Sequence, residues 1–147
     1  DVDDKKEEKA YDAFVSYCSV EENWVLDVLL PKLETPQNGE PSFKLCLHQR
    51  DFIGGKNIQD NIIDSIDNSR HTILILSRSF LKSMWGLQEF RYAYQESITK
   101  KRRHLIIVFY EKIPEEEMDT VLKCCIKTFT YLDVKDTMLM DRLRFAL

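Results

Sequence analysis

The sequence contains little glycine, and none at the position where a phosphate-binding loop needs it. Its 147 residues include 4 glycines, and neither GxGxxG nor GxxxxGK[ST] occurs. The turn after the first predicted strand reads YCSV, which has no glycine to let backbone amides approach a phosphate. A GxSxG elbow is also absent, and the third predicted strand ends in Leu76-Ser77, where a receiver domain needs aspartate. These absences exclude the common nucleotide-binding, serine-hydrolase and receiver classes.

Long apolar runs and a strong charge excess are also missing. The longest apolar run is 105–110, far below the roughly 20 residues that span a bilayer. The net charge is −4 and the pI is near 5.4, so nothing draws the whole chain toward nucleic acid. We therefore expect no transmembrane segment within this chain and no nucleic-acid partner.

Cysteine and histidine are few and scattered. Cys124 and Cys125 are adjacent, no CxxC spacing occurs, and the three histidines lie apart. This pattern favours reduced thiols in a cytosolic setting and no metal site. Cys46 and His48 would lie on one face of a strand, where the histidine could act as a base toward the thiol. A buried strand cysteine is the preferred interpretation.

The size and composition predict one globular domain. A chain of 147 residues that is 44% hydrophobic and 31% charged can bury a good core without disulfides or metals. Residues 1–10 form the exception, since DVDDKKEEK is almost entirely charged. We interpret 1–10 as a solvated lead-in, linker or frayed tail and 11–147 as the domain.

Apolar runs alternate with helical periodicity along the chain. Strands are predicted at 12–17, 43–47, 71–76, 104–110 and 128–132. Helices are predicted around 24–33, 58–66, 80–94 and 139–146, with weaker helix or irregular structure over 113–127. Five strands that alternate with helices predict an α/β fold with a parallel sheet covered on both faces.

Several polar residues are expected to end or begin these helices. Ser19 is a candidate N-cap for the first helix, and Ser77, Ser79 or Ser83 for the third. Arg142 and Arg144 fall at the negative end of the last helix.

The segment FKLCLHQRDFIGG at 43–55 predicts a recognition loop after the second strand. Phe52 and Ile53 are costly to expose, and Gly54-Gly55 permit unusual backbone angles. Arg50 and Asp51 could face a partner or brace the loop internally. Because partners meet parallel sheets at the carboxyl ends of the strands, this loop and the Ser77 turn should share one rim.

Two other features leave alternatives open. Glu89 follows Trp85 by four residues and is the acid with a possible catalytic role, although a solvated glutamate is the simpler interpretation. KKRR at 100–103 could meet anionic lipid, but a favourable helix end that flanks a hydrophobic strand is preferred.

With these residues in view, the chain resembles the TIR domain of Toll-like receptors from Tyr11 to Leu147. YDAFVSY at 11–17 is similar to the first signature box of that family, and LCLHQRDFIGG at 45–55 to the second. ILSRSFLKSMWGLQEF at 75–90 matches the third strand and helix, and LRFAL at 143–147 the end of the last helix. Gly54, at a position where many relatives have proline, and the LRFAL ending make the chain more similar to invertebrate Toll receptors than to cytosolic adaptors.

The resemblance implies a flavodoxin-like fold of strand order 2-1-3-4-5 and signalling by homotypic assembly. It implies a non-enzymatic domain on the cytoplasmic side of a single-pass innate immune receptor, at the plasma or endosomal membrane. Its partners would be the TIR domains of adaptors and of a second receptor chain, bound through Arg50, Asp51, Phe52, Ile53, Gly54 and Gly55, with no cofactor. The alternative is an NAD-cleaving TIR enzyme that uses Glu89, since some members of other lineages have that activity.

The chain departs from the family pattern at three places. Gly54 stands where many relatives have proline, which leaves the loop less rigid. Leu139-Met140 replace the usual Phe-Trp pair of the third box, and Gly86 stands where relatives often have cysteine.

Overall fold

A computed structural model describes residues 10–37, 39–47, 58–83, 91, 105–128 and 130–147. These residues include a five-stranded parallel sheet in the order β2-β1-β3-β4-β5. The strands are β1 (Tyr11–Ser16), β2 (Leu45–Leu47), β3 (Ser69–Leu76), β4 (Leu105–Phe109) and β5 (Thr130–Asp133). The predicted α/β fold and its flavodoxin-like strand order are confirmed.

Helices cover both faces of the sheet. Helix α1 (19–34) begins as the 3-10 turn Ser19–Glu21 and continues as Glu22–Trp24, Val25–Leu29 and Leu30–Glu34. The others are α2 (Ile58–Asp67), α3 (Arg78–Lys82), α4 (Thr120–Thr128) and α5 (Leu139–Ala146), with a 3-10 turn at Glu115–Glu117.

The sheet separates two hydrophobic clusters, as expected for a strand layer buried on both sides. On one face, strand residues such as Phe14, Leu74 and Ile107 pack with α2, α3 and α4. On the other, Val15, Ile73 and neighbouring strand residues pack with α1 and α5. Alternation along each strand therefore assigns successive side chains to opposite cores.

Several strands begin at residues other than those that the sequence predicts. β2 begins at Leu45, not Phe43, since the Phe43 amide donates to the Leu33 carbonyl at 2.8 Å and the Lys44 amide to Asp12 Oδ2 at 2.8 Å. β3 begins at Ser69, two residues before the predicted start, and β5 begins at Thr130.

Helix α1 widens to a π-helix over Val25–Leu29, which the 3.6-residue periodicity did not predict. Pro31 has no amide hydrogen, so it cannot donate to the carbonyl four residues before it. The preceding amide, that of Leu30, donates to Val25 O, five residues back. The wide turn accommodates proline inside a continuous helix.

The N-cap prediction for α1 was wrong. Ser19 is the first residue of the 3-10 turn, and Cys18 occupies the cap position without a side-chain bond to the helix backbone. For α3 the cap is Ser77, one of the three candidates, and its hydroxyl accepts the Phe80 amide at 3.0 Å.

Arg144 lies in the last turn of α5, as expected, whereas Arg142 lies before that turn. Arg144 also makes tertiary contacts. Its guanidinium donates to Glu40 Oε2 and to the Lys32 carbonyl. Arg142 pairs with Asp136 at 3.3 Å.

Candidate partner-binding rim

The carboxyl ends of the strands form one rim of the molecule, built from 17–21 after β1, 77–80 after β3 and 110–117 after β4. Parallel strands bring these turns to a single edge. The predicted recognition segment joins the end of β2 at Leu47 to the start of α2 at Ile58. Because β2 is the edge strand next to β1, the segment begins beside the turn that follows β1.

A buried carboxylate and thiol define the rim at the end of β1. Glu21 is fully buried, and its Oε2 accepts a hydrogen bond from Cys18 Sγ at 2.8 Å. Burial and the bond to Glu21 raise the pKa of the Cys18 thiol. The thiol is therefore a hydrogen-bond donor and a poor nucleophile. Glu21 Oε1 has no hydrogen-bond partner within the described part of the chain.

The turn after β3 is fixed by its own side chain and by β4. Ser77 is buried and caps α3, and the Tyr110 amide donates to the Leu76 carbonyl at 2.9 Å. The Tyr110 ring then meets Trp24 of α1 edge-on, with ring centroids 6.1 Å apart. These contacts join the turns after β1, β3 and β4 into one support.

An ionic bridge crosses the outer part of the rim. The Arg78 guanidinium contacts Glu117 at 3.2 Å and Glu111 at 3.5 Å, and the Arg78 amide donates to Glu111 Oε2 at 3.1 Å. The hydrogen bond and charge of Glu117 raise the pKa of Arg78. The bridge ties the start of α3 to the segment after β4, although exposed pairs of this kind contribute little each.

The predicted partner-binding residues, Arg50 to Gly55, lie outside the described residues. So do Trp85, Glu89, the basic run 100–103, and His48. Cys46 is described and buried in β2, where its Sγ lies 3.5 Å from Ser65 Oγ. That contact fits the interpretation of Cys46 as a core residue.

Sequence reasoning missed the Cys18–Glu21 pair and the Arg78 bridge. The first had a detectable signal, since a donor and an acceptor three residues apart at a helix start can bond each other. The bridge had none, because Arg78 and Glu117 are 39 positions apart and meet only through the sheet topology.

Over the described ranges, no group of three or more His, Cys, Asp or Glu side chains could hold a metal ion. Helices in the same ranges are too short or too polar to cross a membrane. All four cysteines are free thiols: Cys18, Cys46, Cys124 and Cys125.

Comparison with known proteins gives consistent matches. A family model described as "TIR domain" matches residues 10–129. The chain is 39% identical over 146 residues to Protein toll of Drosophila melanogaster, covering 99% of this chain and 13% of that protein. It is 42% identical over 126 residues to Toll-like receptor 2 of Canis lupus familiaris, covering 84% of this chain and 16% of that receptor. The chain thus spans less than a fifth of these relatives.

A solved structure supports the same assignment. The TIR domain of a Toll-related receptor from Hydra magnipapillata superposes with a TM-score of 0.69 at 25% identity, and the match covers 92% of this chain and 96% of that one. With the parallel sheet, its strand order and the family match over most of its length, the chain belongs to the TIR domain family.

Proposed function

We propose that this chain is the cytoplasmic signalling domain of a Toll-like innate immune receptor and acts by homotypic TIR-TIR association that recruits TIR-containing adaptors. The observation that carries the proposal is that β2 ends at Leu47 and α2 begins at Ile58. Residues 48–57 therefore follow the carboxyl end of a strand, in a chain that is related along its length to Toll and Toll-like receptor 2.

The chemistry of the segment suits a docking loop. Phe52 and Ile53 supply apolar contact, while Arg50 and Asp51 supply charges that fix orientation and specificity. Gly54 and Gly55 let the backbone adapt to the partner. The Ser77 cap fixes the neighbouring turn of the rim. We therefore propose that a rigid part of the rim lies beside an adaptable loop.

Membrane attachment would strengthen weak contacts. We propose that residues 1–10 are a juxtamembrane lead-in and that a membrane segment outside this chain anchors the domain on the cytoplasmic side. Ligand-driven pairing of two receptor chains then raises the effective concentration of their TIR domains and yields a composite surface for adaptors.

The test is a pull-down of adaptor TIR domains with the Ile53→Asp variant. We expect Ile53→Asp to abolish recruitment, because a buried unpaired carboxylate opposes apolar docking. Val20→Asp is the matched control, since Val20 is 60% exposed on the same rim. Retention of binding by a folded Ile53→Asp protein would overturn the proposed docking role. Equal loss in both variants would assign the effect to rim charge in general.

We further propose that the domain signals without catalysis. The named relatives are receptors, and the sequence lacks the glycine motifs that cradle phosphates. We expect no nicotinamide release when the purified chain is incubated with NAD at high protein concentration. Release that disappears in Glu89→Ala would establish the enzymatic alternative instead.

A further inference from the structure

A cleft lies at the β5 edge of the sheet and shares the segment after β4, including Glu111, with the rim. It has a volume of about 480 Å³ and is bordered by α4, β5 and the segment that follows β4. This volume falls in the range of small-molecule sites, roughly 300–1,000 Å³. β5 is the last strand of the sheet order, so the cleft is open on the side away from β4.

The floor of the cleft is apolar and aromatic. The rings of Phe109 and Tyr131 meet edge-on with centroids 6.1 Å apart, and Ile113, Met118 and Ile126 add aliphatic surface. Tyr131 is 60% exposed. An exposed ring beside apolar walls can stack against a planar ligand.

Four lysines from three separate parts of the chain also line the cleft. Lys123 and Lys127 lie on α4, Lys112 follows β4, and Lys135 follows β5. No carboxylate lies within ion-pair distance of these four amines in the described part of the chain. Lys123 and Lys127 are four apart on one helix, where like charges repel each other. An anion between them would relieve that repulsion.

Two of the three acidic residues that line the cleft are engaged by other groups of the chain. Glu111 is engaged by the side chain and amide of Arg78, and Asp133 Oδ1 accepts the Lys135 amide at 2.8 Å. Glu115 is the third acid and is exposed. The positive groups are therefore more available to a ligand than the negative ones.

We propose that this cleft binds a small amphipathic anion, namely a planar aromatic ring joined to a phosphate or carboxylate. The ring stacks against Tyr131 over the apolar floor, and the acidic group lies among the lysines. The binding residues share none of the positions of the 50–55 docking segment, so the site can be tested independently of the proposed receptor function.

The experiment titrates the ¹⁵N-labelled chain with 1-naphthyl phosphate and follows amide shifts. We expect shifts centred on 109–113, 123–127 and 131–135. 1-Naphthol and inorganic phosphate, the two halves of the probe, should each bind at least about tenfold more weakly. Added salt should weaken binding of the whole probe, because exposed charges are screened.

Variants separate the two parts of the site. Tyr131→Ala, and Lys123→Glu combined with Lys127→Glu, should each weaken binding about tenfold. Tyr131→Phe keeps the ring and should retain binding, and Lys82→Glu, an exposed lysine outside the cleft, is the charge control. The proposal would be overturned if inorganic phosphate bound as tightly as 1-naphthyl phosphate, or if the shifts were centred elsewhere. Shifts that depend on protein concentration and not on the probe would also overturn it, and would indicate a second copy of the chain in the cleft.

Discussion

Glu21 is a carboxylate with no exposed surface at the end of β1, and the Cys18 thiol donates a hydrogen bond to it. The Cys18 Sγ to Glu21 Oε2 distance is 2.8 Å, and Oε1 has no partner in the described structure. A buried acceptor that loses its donor costs the desolvation of that group. At the residue scale, the role of Cys18 is therefore to satisfy Glu21, and its reactivity is secondary.

The residue-scale prediction compares two substitutions of Cys18. Cys18→Ser keeps a hydroxyl donor and should change the free energy of unfolding by less than about 1 kcal/mol. Cys18→Ala introduces a side chain about as small as serine but leaves the Glu21 carboxylate without its donor, and should lower the free energy of unfolding by about 2 kcal/mol. Urea denaturation of both proteins gives the comparison. Equal stability of the two variants would show that the thiol-carboxylate bond contributes nothing.

At the scale of elements, the apolar runs predicted the five strands because parallel strands buried on both faces need little polar alternation. The boundaries required tertiary knowledge. The amides of Phe43 and Lys44 donate to the Leu33 carbonyl and to Asp12 Oδ2, and nothing in the sequence around 43–45 indicates those distant acceptors. The π-helix follows from Pro31, whose presence was visible in the sequence but whose effect depends on the helix continuing past it.

The sequence predicted one of the two candidate sites and not the other. The 50–55 loop was proposed from a short contiguous pattern and remains a prediction, since it lies outside the described residues. The β5 cleft could not be predicted, because Lys112, Lys127 and Lys135 come from three elements and converge only after β4, α4 and β5 assemble. A contiguous sequence pattern can therefore predict a loop. A cleft that is built from several elements can be recognised only when the sheet topology is known.

At the scale of the whole molecule, α1 and α5 share one core although they lie at opposite ends of the chain. Leu29 and Leu33 pack in the same cluster as Leu139 and Leu143. Arg144 adds a polar link, since its guanidinium reaches Glu40 and the Lys32 carbonyl, 104 and 112 positions away in sequence. The first and last helices should therefore unfold together in one cooperative transition.

The last prediction tests this long-range link with two arginines of one helix. Arg144→Ala should lower the free energy of unfolding by about 1 kcal/mol, because its side chain is 16% exposed and bonds Glu40 and the Lys32 carbonyl, both of which water can reach once the arginine is removed. Arg142→Ala is the control: that side chain is 60% exposed and pairs with the nearby Asp136, so the cost should stay below about 0.5 kcal/mol. Urea denaturation followed by tryptophan fluorescence and circular dichroism measures both variants. Similar losses in the two proteins, or separate transitions for the two probes in the unsubstituted chain, would contradict a cooperative unit closed by Arg144.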